Sequence, residues 1–190
     1  MQKLEMLSDE KIVDLVRNQD KENYAEIINR YEAKLSRYVY YMIKDRDITD
    51  DIVQESFIKA YKNLNSFDTK RKFSSWIYRI AHNESIDEIR KRKKILYQPL
   101  EVDFWGVFKS KTDIEKELSD KEMGEWLKLC MTELSEKYRS ALVLYYFEEK
   151  SYEEISDILR ISLGTVGTRL NRGKKMIKNI CDKKGAKAYV

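Results

Sequence analysis

Residues 151–175 read SYEEISDILRISLGTVGTRLNRGKK and decide the fold of the C-terminal half. The first four form a capping box, in which the Ser151 side chain satisfies a first-turn amide and Glu154 reaches back to the serine backbone. The helix that opens there ends near Leu159, and Ser162 is a good N-cap for a second, longer helix. A short helix, a tight turn and a longer helix with a basic outer face have the proportions of a helix-turn-helix.

The longer helix has one apolar seam and one polar face. The seam recurs at spacings of four, three, four and three and consists of Val166, Leu170, Gly173, Ile177 and Ile180. The residues predicted to contact DNA are Ser162, Thr165, Thr168, Arg169, Arg172 and Lys175. Threonine and arginine side chains bond base edges and phosphates in a major groove, and a helix N-terminus binds phosphate. An ordinary αα-hairpin with a basic face would show the same pattern, so both interpretations stay open at this point.

Three further amphipathic helices are predicted in the N-terminal half. The first has its apolar stripe between Tyr24 and Met42, the second follows Asp47 as N-cap, and the third begins at Phe73. The only proline, Pro99, follows the third helix, and residues 95–112 show no sustained period. The sequence therefore predicts an all-α fold of two small helical domains, with boundaries at residues 1–94 and 114–190 and a linker at residues 95–113.

The composition supports this fold class and excludes several others. Only 6 Gly and 1 Pro occur among 190 residues, too few turn-formers for a β-sandwich or barrel. The two cysteines lie far apart and in no CxxC pair, so neither a structural zinc site nor a disulfide framework is expected, and a reducing cytoplasm is the predicted location. The start lacks the apolar stretch of a signal peptide, and the longest apolar run, residues 141–147, is too short to span a bilayer.

Charge is strongly segregated along the chain, although the net charge is only +4. Residues 70–94 carry nine basic and three acidic side chains, and residues 160–187 carry nine basic and one acidic. Residues 45–55 carry five acidic and one basic. Two basic blocks indicate two polyanion contacts and the acidic block indicates a basic partner, although solvated helix faces would give similar runs.

Aromatic side chains are interleaved with cations in the first basic block. Trp76, Tyr78 and His82 lie among Arg79 and Asn83, an arrangement that suits unpaired bases. The Asn83 amide can pair with the edge of an exposed base. Neither a nucleophile signature, a glycine-rich phosphate loop nor metal-ligand spacing accompanies His82, so the sequence predicts no enzyme and no cofactor.

These motifs together resemble the extracytoplasmic function (ECF) group, group IV of the sigma-70 family. Residues 50–61 (DDIVQESFIKAY) resemble the family's region 2.2, and residues 73–83 (FSSWIYRIAHN) resemble its regions 2.3 and 2.4. Residues 151–155 (SYEEI) and 164–170 (GTVGTRL) resemble region 4.2. The resemblance covers about residues 7–94 and 114–180, with the motifs in the family's order and spacing.

The resemblance implies a role for each charged block. The residues implied to dock on the polymerase β′ clamp helices are Asp50, Asp51, Gln54 and Glu55. Those implied to bind the melted −10 strand are Phe67, Asp68, Lys70, Arg71, Lys72, Trp76, Arg79 and Asn83. The helix from Leu163 onward would read the −35 duplex, and the helix near residues 138–147 would meet the β-flap. The implied partners are core RNA polymerase, promoter DNA and an anti-sigma factor, with no membrane insertion and no metal.

One departure from the family pattern concerns the recognition helix. Family members often have a basic or polar residue where Gly167 stands, so the resemblance gives no base contact there and predicts a looser helix.

Two other function classes fit parts of the chain. A helix-turn-helix regulator acting without polymerase would explain the C-terminal half, but not the acidic residues 50–55 or the aromatics of residues 76–83. A structural helical adaptor would tolerate charge reversal in both basic blocks. Binding to duplex DNA without polymerase would separate the regulator from an initiation factor.

Overall fold

The computed structural model describes residues 4–96, 130–131 and 133–185, and this part of the chain contains helices and no strand. Its α-helices are α1 (Asp9–Asn18), α2 (Tyr24–Ile43), α3 (Arg46–Lys62), α4 (Phe73–Leu96), α5 (Glu136–Tyr146), α6 (Tyr152–Leu159) and α7 (Leu163–Gly185). The prediction of an all-α fold is confirmed. Most of the predicted linker and the first part of the predicted C-terminal domain, up to residue 129, lie outside the described residues.

Helices α1 to α4 pack into one bundle because each carries a continuous apolar stripe. The stripe predicted for α2 is buried at Tyr31, Leu35 and Val39, and it faces Phe73 and Ile77 of α4. Burial of such side chains stabilises a fold by about 1.5–3 kcal/mol each. The three N-terminal helices predicted from periodicity are therefore confirmed.

The N-cap of α3 is Asp45, and the prediction of Asp47 is wrong. Lys44 adopts the left-handed conformation (φ 64) that ends α2, so Asp45 is the next residue with extended backbone. Its side chain accepts a hydrogen bond from the Ile48 amide at 3.2 Å. That bond and the Arg92 guanidinium, at 3.1 Å, lower the pKa of Asp45.

The helix-turn-helix is confirmed in the C-terminal half. Both hydrogen bonds of the predicted capping box are present, since the Glu154 amide donates to Ser151 Oγ and the Ser151 amide donates to Glu154 Oε2. Arg160, in the left-handed conformation, ends α6, and Ser162 accepts from the Thr165 amide at 3.2 Å to begin α7. The predicted seam of α7 faces the core, because Val166 and Leu170 are buried.

The two halves pack against each other in this structure. Helix α5 lies on α2, and α6 lies on α4. The rings of Tyr41 and Phe147 are 4.6 Å apart across this boundary, and Arg139 of α5 donates to the Met42 carbonyl at 3.0 Å. The buried side chains of both halves therefore form one connected cluster.

The two cysteines form a disulfide, which the sequence analysis did not expect. Cys130 and Cys181 are 51 residues apart in the chain, but their Cα atoms lie 5.7 Å apart. Linear spacing does not reveal such a pair, because α7 returns along α5 and brings its end back to the start of the C-terminal half. The sequence analysis expected no disulfide framework and therefore did not predict this bond.

Replacing Gly167 by alanine is expected to raise the free energy of unfolding by about 0.5–1 kcal/mol, because glycine weakens a helix interior. An added Cβ would lie 3.7 Å from the Tyr152 ring, an ordinary contact. Gly173→Ala is the matched control, because its Cβ would lie only 3.0 Å from Leu142 Cδ1 and 3.2 Å from its Cγ. Urea unfolding of both variants measures the effect, and an equal gain at the two positions would contradict the prediction.

Candidate functional site

The acidic residues predicted to dock on polymerase line one exposed face of α3. Asp50, Asp51 and Gln54 are exposed, and Glu55 is partly exposed beside Lys59, at 3.8 Å. The structure therefore brings these four residues together on one surface. Their carboxylates are free to meet a basic partner because no core packing depends on them.

An apolar groove between α2 and α3 adjoins this acidic face. The groove is lined by Tyr24, Ile28, Val53, Phe57, Ile58 and Tyr61, with Asp50 and Gln54 among its other lining residues. Tyr24 is fixed by donating to the Phe57 carbonyl at 2.8 Å and by an edge contact with the Tyr61 ring at 5.0 Å. An apolar groove beside carboxylates suits an amphipathic basic helix, and sequence reasoning did not detect it.

The loop before α4 is held at both ends. Arg17 donates to the Leu64 and Phe67 carbonyls, and the Phe73 amide donates to Glu10 at 2.9 Å. Within the loop, Asp68 accepts from the Lys70 amide at 3.0 Å and forms a turn. Asp68, Lys70, Arg71 and Lys72 are exposed, so the loop presents one acidic and three basic side chains to solvent.

The structure buries Phe67, which the sequence analysis grouped with the −10 contacts. Its ring is 5% exposed and packs against Phe73 at 5.4 Å and Trp76 at 5.0 Å. In this conformation the ring supports Trp76 and the loop rather than presenting a free face to a base. Direct contact between Phe67 and DNA stays a prediction.

Trp76, Arg79 and Asn83 follow one face of α4, because they are separated by three and four residues. Trp76 is partly exposed and Asn83 is exposed. The Asn83 side chain makes no hydrogen bond within the described part of the chain. Together with Asp68, Lys70, Arg71 and Lys72, which are also predicted to bind the −10 strand, these three residues are called the −10 face below.

Acidic residues of α6 cover part of the −10 face. Arg79 contacts Asp157 at 3.0 Å, and Arg71 approaches the same carboxylate at 3.9 Å. Lys72 contacts Glu154 at 3.1 Å. Burial lowers the pKa of Arg79, and Arg160 nearby lowers it further. Three of the predicted DNA-binding cations are thus paired within the chain, a contact that no sequence pattern indicated.

Glu148, just beyond α5, is buried between the two halves. Its side chain is 1% exposed and contacts Arg37 through both oxygens, at 2.7 and 3.0 Å. The Tyr78 hydroxyl donates to the same carboxylate at 2.5 Å, and the ammonium of Lys150 lies 4.7 Å from the Tyr78 ring centre. Burial and the neighbouring carboxylate raise the pKa of Tyr78. Helix α5 ends at Tyr146, so Glu148 lies beyond the helix and can turn inward.

The surroundings of His82 indicate a structural role. Its Nδ1 lies 2.8 Å from the buried Tyr38 hydroxyl, and burial followed by the charge of Arg169 lowers its pKa to about 4. Among the described residues, no group of His, Cys, Asp and Glu side chains could hold a metal ion.

The free energy of unfolding is expected to fall by about 2 kcal/mol between pH 7 and pH 5, because His82 binds a proton more readily in the unfolded chain than in the folded one. Its folded-state pKa of about 4 is below the ordinary 6.5, so the unfolded chain takes up the proton first as the pH falls. The contribution of neutral His82 to the free energy of unfolding is complete above pH 6.5 and is lost progressively as the pH falls to 4. Urea unfolding at pH 7, 6 and 5 measures it. His82→Gln should flatten the dependence, and an unchanged slope in that variant would refute the assignment.

Most of the residues predicted to bind the −35 duplex are exposed to solvent. Ser162, Thr168, Arg172 and Lys175 are exposed, while Thr165 and Arg169 are partly exposed. The Ser162 and Thr165 hydroxyls are 2.9 Å apart at the start of the helix. The structure thus places five of the six predicted −35 residues on α7 and Ser162 at its N-cap, and Arg169 lies close enough to His82 to affect its titration.

An aromatic patch lies beside this helix, where residues 138–147 were predicted to meet the β-flap. Tyr145 packs edge-on against Tyr146 at 4.9 Å and against Tyr152 at 5.6 Å, and all three are exposed. Lys174 of α7 lies 5.5 Å from the Tyr146 ring centre. Contact of this patch with the β-flap stays a prediction.

Comparison with protein families gives two matches along the chain. The model of Sigma-70 region 2 matches residues 27–95, and the model of Sigma-70, region 4 matches residues 124–177. No helix in the part of the chain that the structure describes is long and apolar enough to cross a membrane.

Curated relatives resemble the chain over most of its length. It is 38% identical over 180 residues to the ECF RNA polymerase sigma factor SigW of Bacillus subtilis, covering 88% of this chain and 94% of that protein. It is 31% identical over 182 residues to the ECF RNA polymerase sigma-E factor of Haemophilus influenzae, covering 92% of this chain and 96% of that protein.

Solved structures show the same fold. CnrH, in complex with the cytosolic domain of CnrY, has a TM-score of 0.70 at 19% identity and covers 92% of this chain and 97% of that chain. The sigma factor RpoE of Bartonella quintana, in complex with the anti-sigma factor NepR, has a TM-score of 0.67 at 18% identity and covers 85% of this chain and 98% of that chain.

Proposed function

The chain belongs to the ECF group of the sigma-70 family, and we propose that it is a transcription initiation factor that binds core RNA polymerase and directs it to specific promoters. One observation carries this proposal: a single chain joins both sigma-70 regions and presents an acidic face on α3 together with separate basic faces on α4 and α7. The helix-turn-helix regulator is not favoured, because it leaves the N-terminal match and the acidic face without a role.

Each of the two regions has its own proposed role. Residues 1–94 form sigma region 2, which docks on polymerase and captures the −10 element. Residues 114–190 form sigma region 4, which reads the −35 element, and residues 95–113 connect the two. The polymerase performs the chemistry, so the chain itself is not an enzyme and requires no cofactor.

Docking on polymerase is assigned to the acidic face of α3. Asp50, Asp51, Gln54 and Glu55 would pair with basic residues of the β′ clamp helices. The neighbouring groove would receive apolar side chains from the same partner, and the aromatic patch of region 4 would meet the β-flap. Charge complementarity of this kind sets the orientation of docking and accelerates the encounter.

Promoter opening is assigned to the −10 face. Flipping and unstacking a base costs a few kcal/mol, which stacking on Trp76 and pairing with Asn83 would offset. The cations of the loop and of α4 would hold the phosphates of the same strand. On the duplex, α7 would lie in the major groove with Arg169 and Arg172 toward bases and phosphates.

The proposed compartment is the cytoplasm, where polymerase and promoters are found. An anti-sigma factor is a proposed partner, because the related RpoE of Bartonella quintana was solved in complex with the anti-sigma factor NepR.

Transcription from a randomised promoter library would test the proposal. Core RNA polymerase of Bacillus subtilis, the source of the 38% identical relative, is used with and without the chain, and transcript 5′ ends are sequenced. Start sites that require the chain should share two upstream sequence elements. Sequence-specific duplex binding by the chain alone, with no chain-dependent transcripts, would favour the regulator instead.

A further inference from the structure

Helix α1 carries none of the residues predicted to contact DNA or polymerase, yet it holds both ends of the loop before α4, residues 67–72. The helix is itself fixed in the N-terminal bundle, because Ile12, Val13 and Val16 are buried. The match to Sigma-70 region 2 begins at residue 27, so α1 lies outside it. The family match therefore assigns no role to the contacts between α1 and the loop.

Arg17 of α1 holds the beginning of this loop through its guanidinium. Its Nε donates to the Leu64 carbonyl at 3.0 Å, and its Nη2 donates to the same oxygen and to the Phe67 carbonyl. These carbonyls lie at the start and just beyond the end of the short helical turn Leu64–Ser66. The rigid, planar fork of an arginine suits two acceptors at fixed positions, and a lysine ammonium lacks that geometry. Arg17 therefore sets the direction in which the chain enters the loop.

The Arg17 side chain and the groups that it binds are largely withdrawn from water. Arg17 is 17% exposed, and the nearest oxygen of its acidic neighbour Asp14 is 3.6 Å away. Leu64 and Phe67 are both buried. A buried carbonyl that loses its donor costs free energy, which favours movement of the backbone toward water or another donor. Replacing Arg17 is therefore expected to displace the loop.

The same guanidinium also supports the aromatic part of the −10 face. Its Cζ lies 6.0 Å from the centre of the Phe67 ring, and that ring packs against Trp76 at 5.0 Å. The Phe73 ring completes the cluster at 5.5 Å from Trp76. The position of the Trp76 ring therefore depends on Phe67, whose carbonyl and ring both contact Arg17.

Glu10, two turns before Arg17 on α1, holds the other end of the loop. Its Oε1 accepts a hydrogen bond from the Phe73 amide at 2.9 Å, at the first residue of α4. A carboxylate at this position also complements the partial positive charge of the helix N-terminus. One rigid helix thus fixes the beginning of the loop relative to the beginning of α4.

We propose that Arg17 is a positioning residue for recognition of the −10 element, because its bonds to the Leu64 and Phe67 carbonyls hold the loop and the Trp76 ring in the arrangement that selects unpaired bases. This inference rests on the proposed function, since it adds a specificity-determining residue to the same −10 face. Arg17 acts through the loop and not by touching DNA, because its guanidinium is engaged by the two carbonyls. A change at Arg17 should therefore alter which −10 sequences are used, and not whether polymerase binds.

Transcription from the same randomised promoter library tests this role in the holoenzyme. For each variant, the measured quantity is the ratio of transcripts from the preferred −10 sequence to transcripts from sequences with one mismatch. Arg17→Met should lower this ratio about fivefold or more, the lower end of what one mismatched base pair costs. The preference for −35 sequences, read from the same transcripts, should not change. Arg17→Lys keeps a cation near the carbonyls without the fork, so it should restore part of the ratio.

Arg30→Met is the matched control, because Arg30 makes the same kind of contact away from the loop. Arg30 is 20% exposed, and it donates to the Leu7 and Leu4 carbonyls at 2.8 Å each. This variant should lose stability in urea unfolding as Arg17→Met does, but its −10 ratio should equal that of wild type. An unchanged ratio in Arg17→Met, or an equal fall in both variants, would overturn the inference.

Amide hydrogen exchange of the free, full-length chain gives a second readout that contains no polymerase. The amides of Phe67 and Arg71 are bonded to the Leu64 and Asp68 carbonyls, at 3.1 and 2.9 Å. Arg17→Met should accelerate exchange at these two amides about fivefold or more, and Arg30→Met should not. Wild-type exchange there in Arg17→Met would overturn the inference. A wild-type chain that directs no transcription would contradict the proposed function, while exchange would still show whether Arg17 holds the loop.

Discussion

Asp51→Arg/Glu55→Arg is expected to lower the affinity for core RNA polymerase roughly 100-fold or more. Placing like charges across an interface costs several kcal/mol, and about 2.7 kcal/mol already corresponds to a factor of 100. Both side chains lie on the solvent face of α3, and Glu55 has only a long contact with Lys59, at 3.8 Å. Lys59 keeps its closer partner Glu84, at 2.6 Å, so the fold should survive the change.

Co-purification with tagged core polymerase, followed by titration, measures this effect. The matched control is Glu5→Arg/Asp182→Arg, which makes the same change of net charge at two exposed acids on other elements. The control should bind like wild type, and circular dichroism should show both variants folded. Wild-type affinity in the Asp51/Glu55 variant would remove the acidic face of α3 from the polymerase interface.

Local signals made most of the fold predictable from the sequence. The capping box at Ser151 and Glu154 and the seam through Val166 and Leu170 depend on residues within one or two turns, so they can be identified without tertiary information. The cap of α3 was misplaced by two residues because Asp45 and Asp47 are chemically equivalent caps. The left-handed backbone conformation of Lys44 decides between them, and the sequence does not indicate that conformation.

Contacts between distant segments could not be predicted in the same way. Arg79 and Asp157 are 78 residues apart, and Arg37 and Glu148 are 111 apart, so their pairing depends on how the two halves pack. The sequence indicated the charge of the basic block at residues 70–94, but not that acidic side chains of α6 pair with its cations. The burial of Phe67 could not be predicted either, because the alternation of aromatic and basic residues does not indicate which ring faces the core.

Asn83→Ala is expected to slow promoter opening by about tenfold or more and to leave closed-complex formation unchanged. A well-formed pair of hydrogen bonds to a base edge is worth about 1–3 kcal/mol, and that contact exists only after the strand is unpaired. Asn83 is exposed on α4, one turn beyond Arg79 and two turns beyond Trp76. A base that stacks on Trp76 would leave a neighbouring base edge within reach of the Asn83 amide.

The holoenzyme separates the two steps. Closed complexes are measured by gel shift at low temperature, and opening is measured by the fluorescence of 2-aminopurine placed in the −10 element. Asn179→Ala makes the same chemical change at an exposed position of α7 beyond the predicted −35 residues, and it should alter neither step. An equal loss in both steps for Asn83→Ala would assign the side chain to duplex binding or to folding, because an amide that reads only unpaired bases cannot contribute before the strands separate.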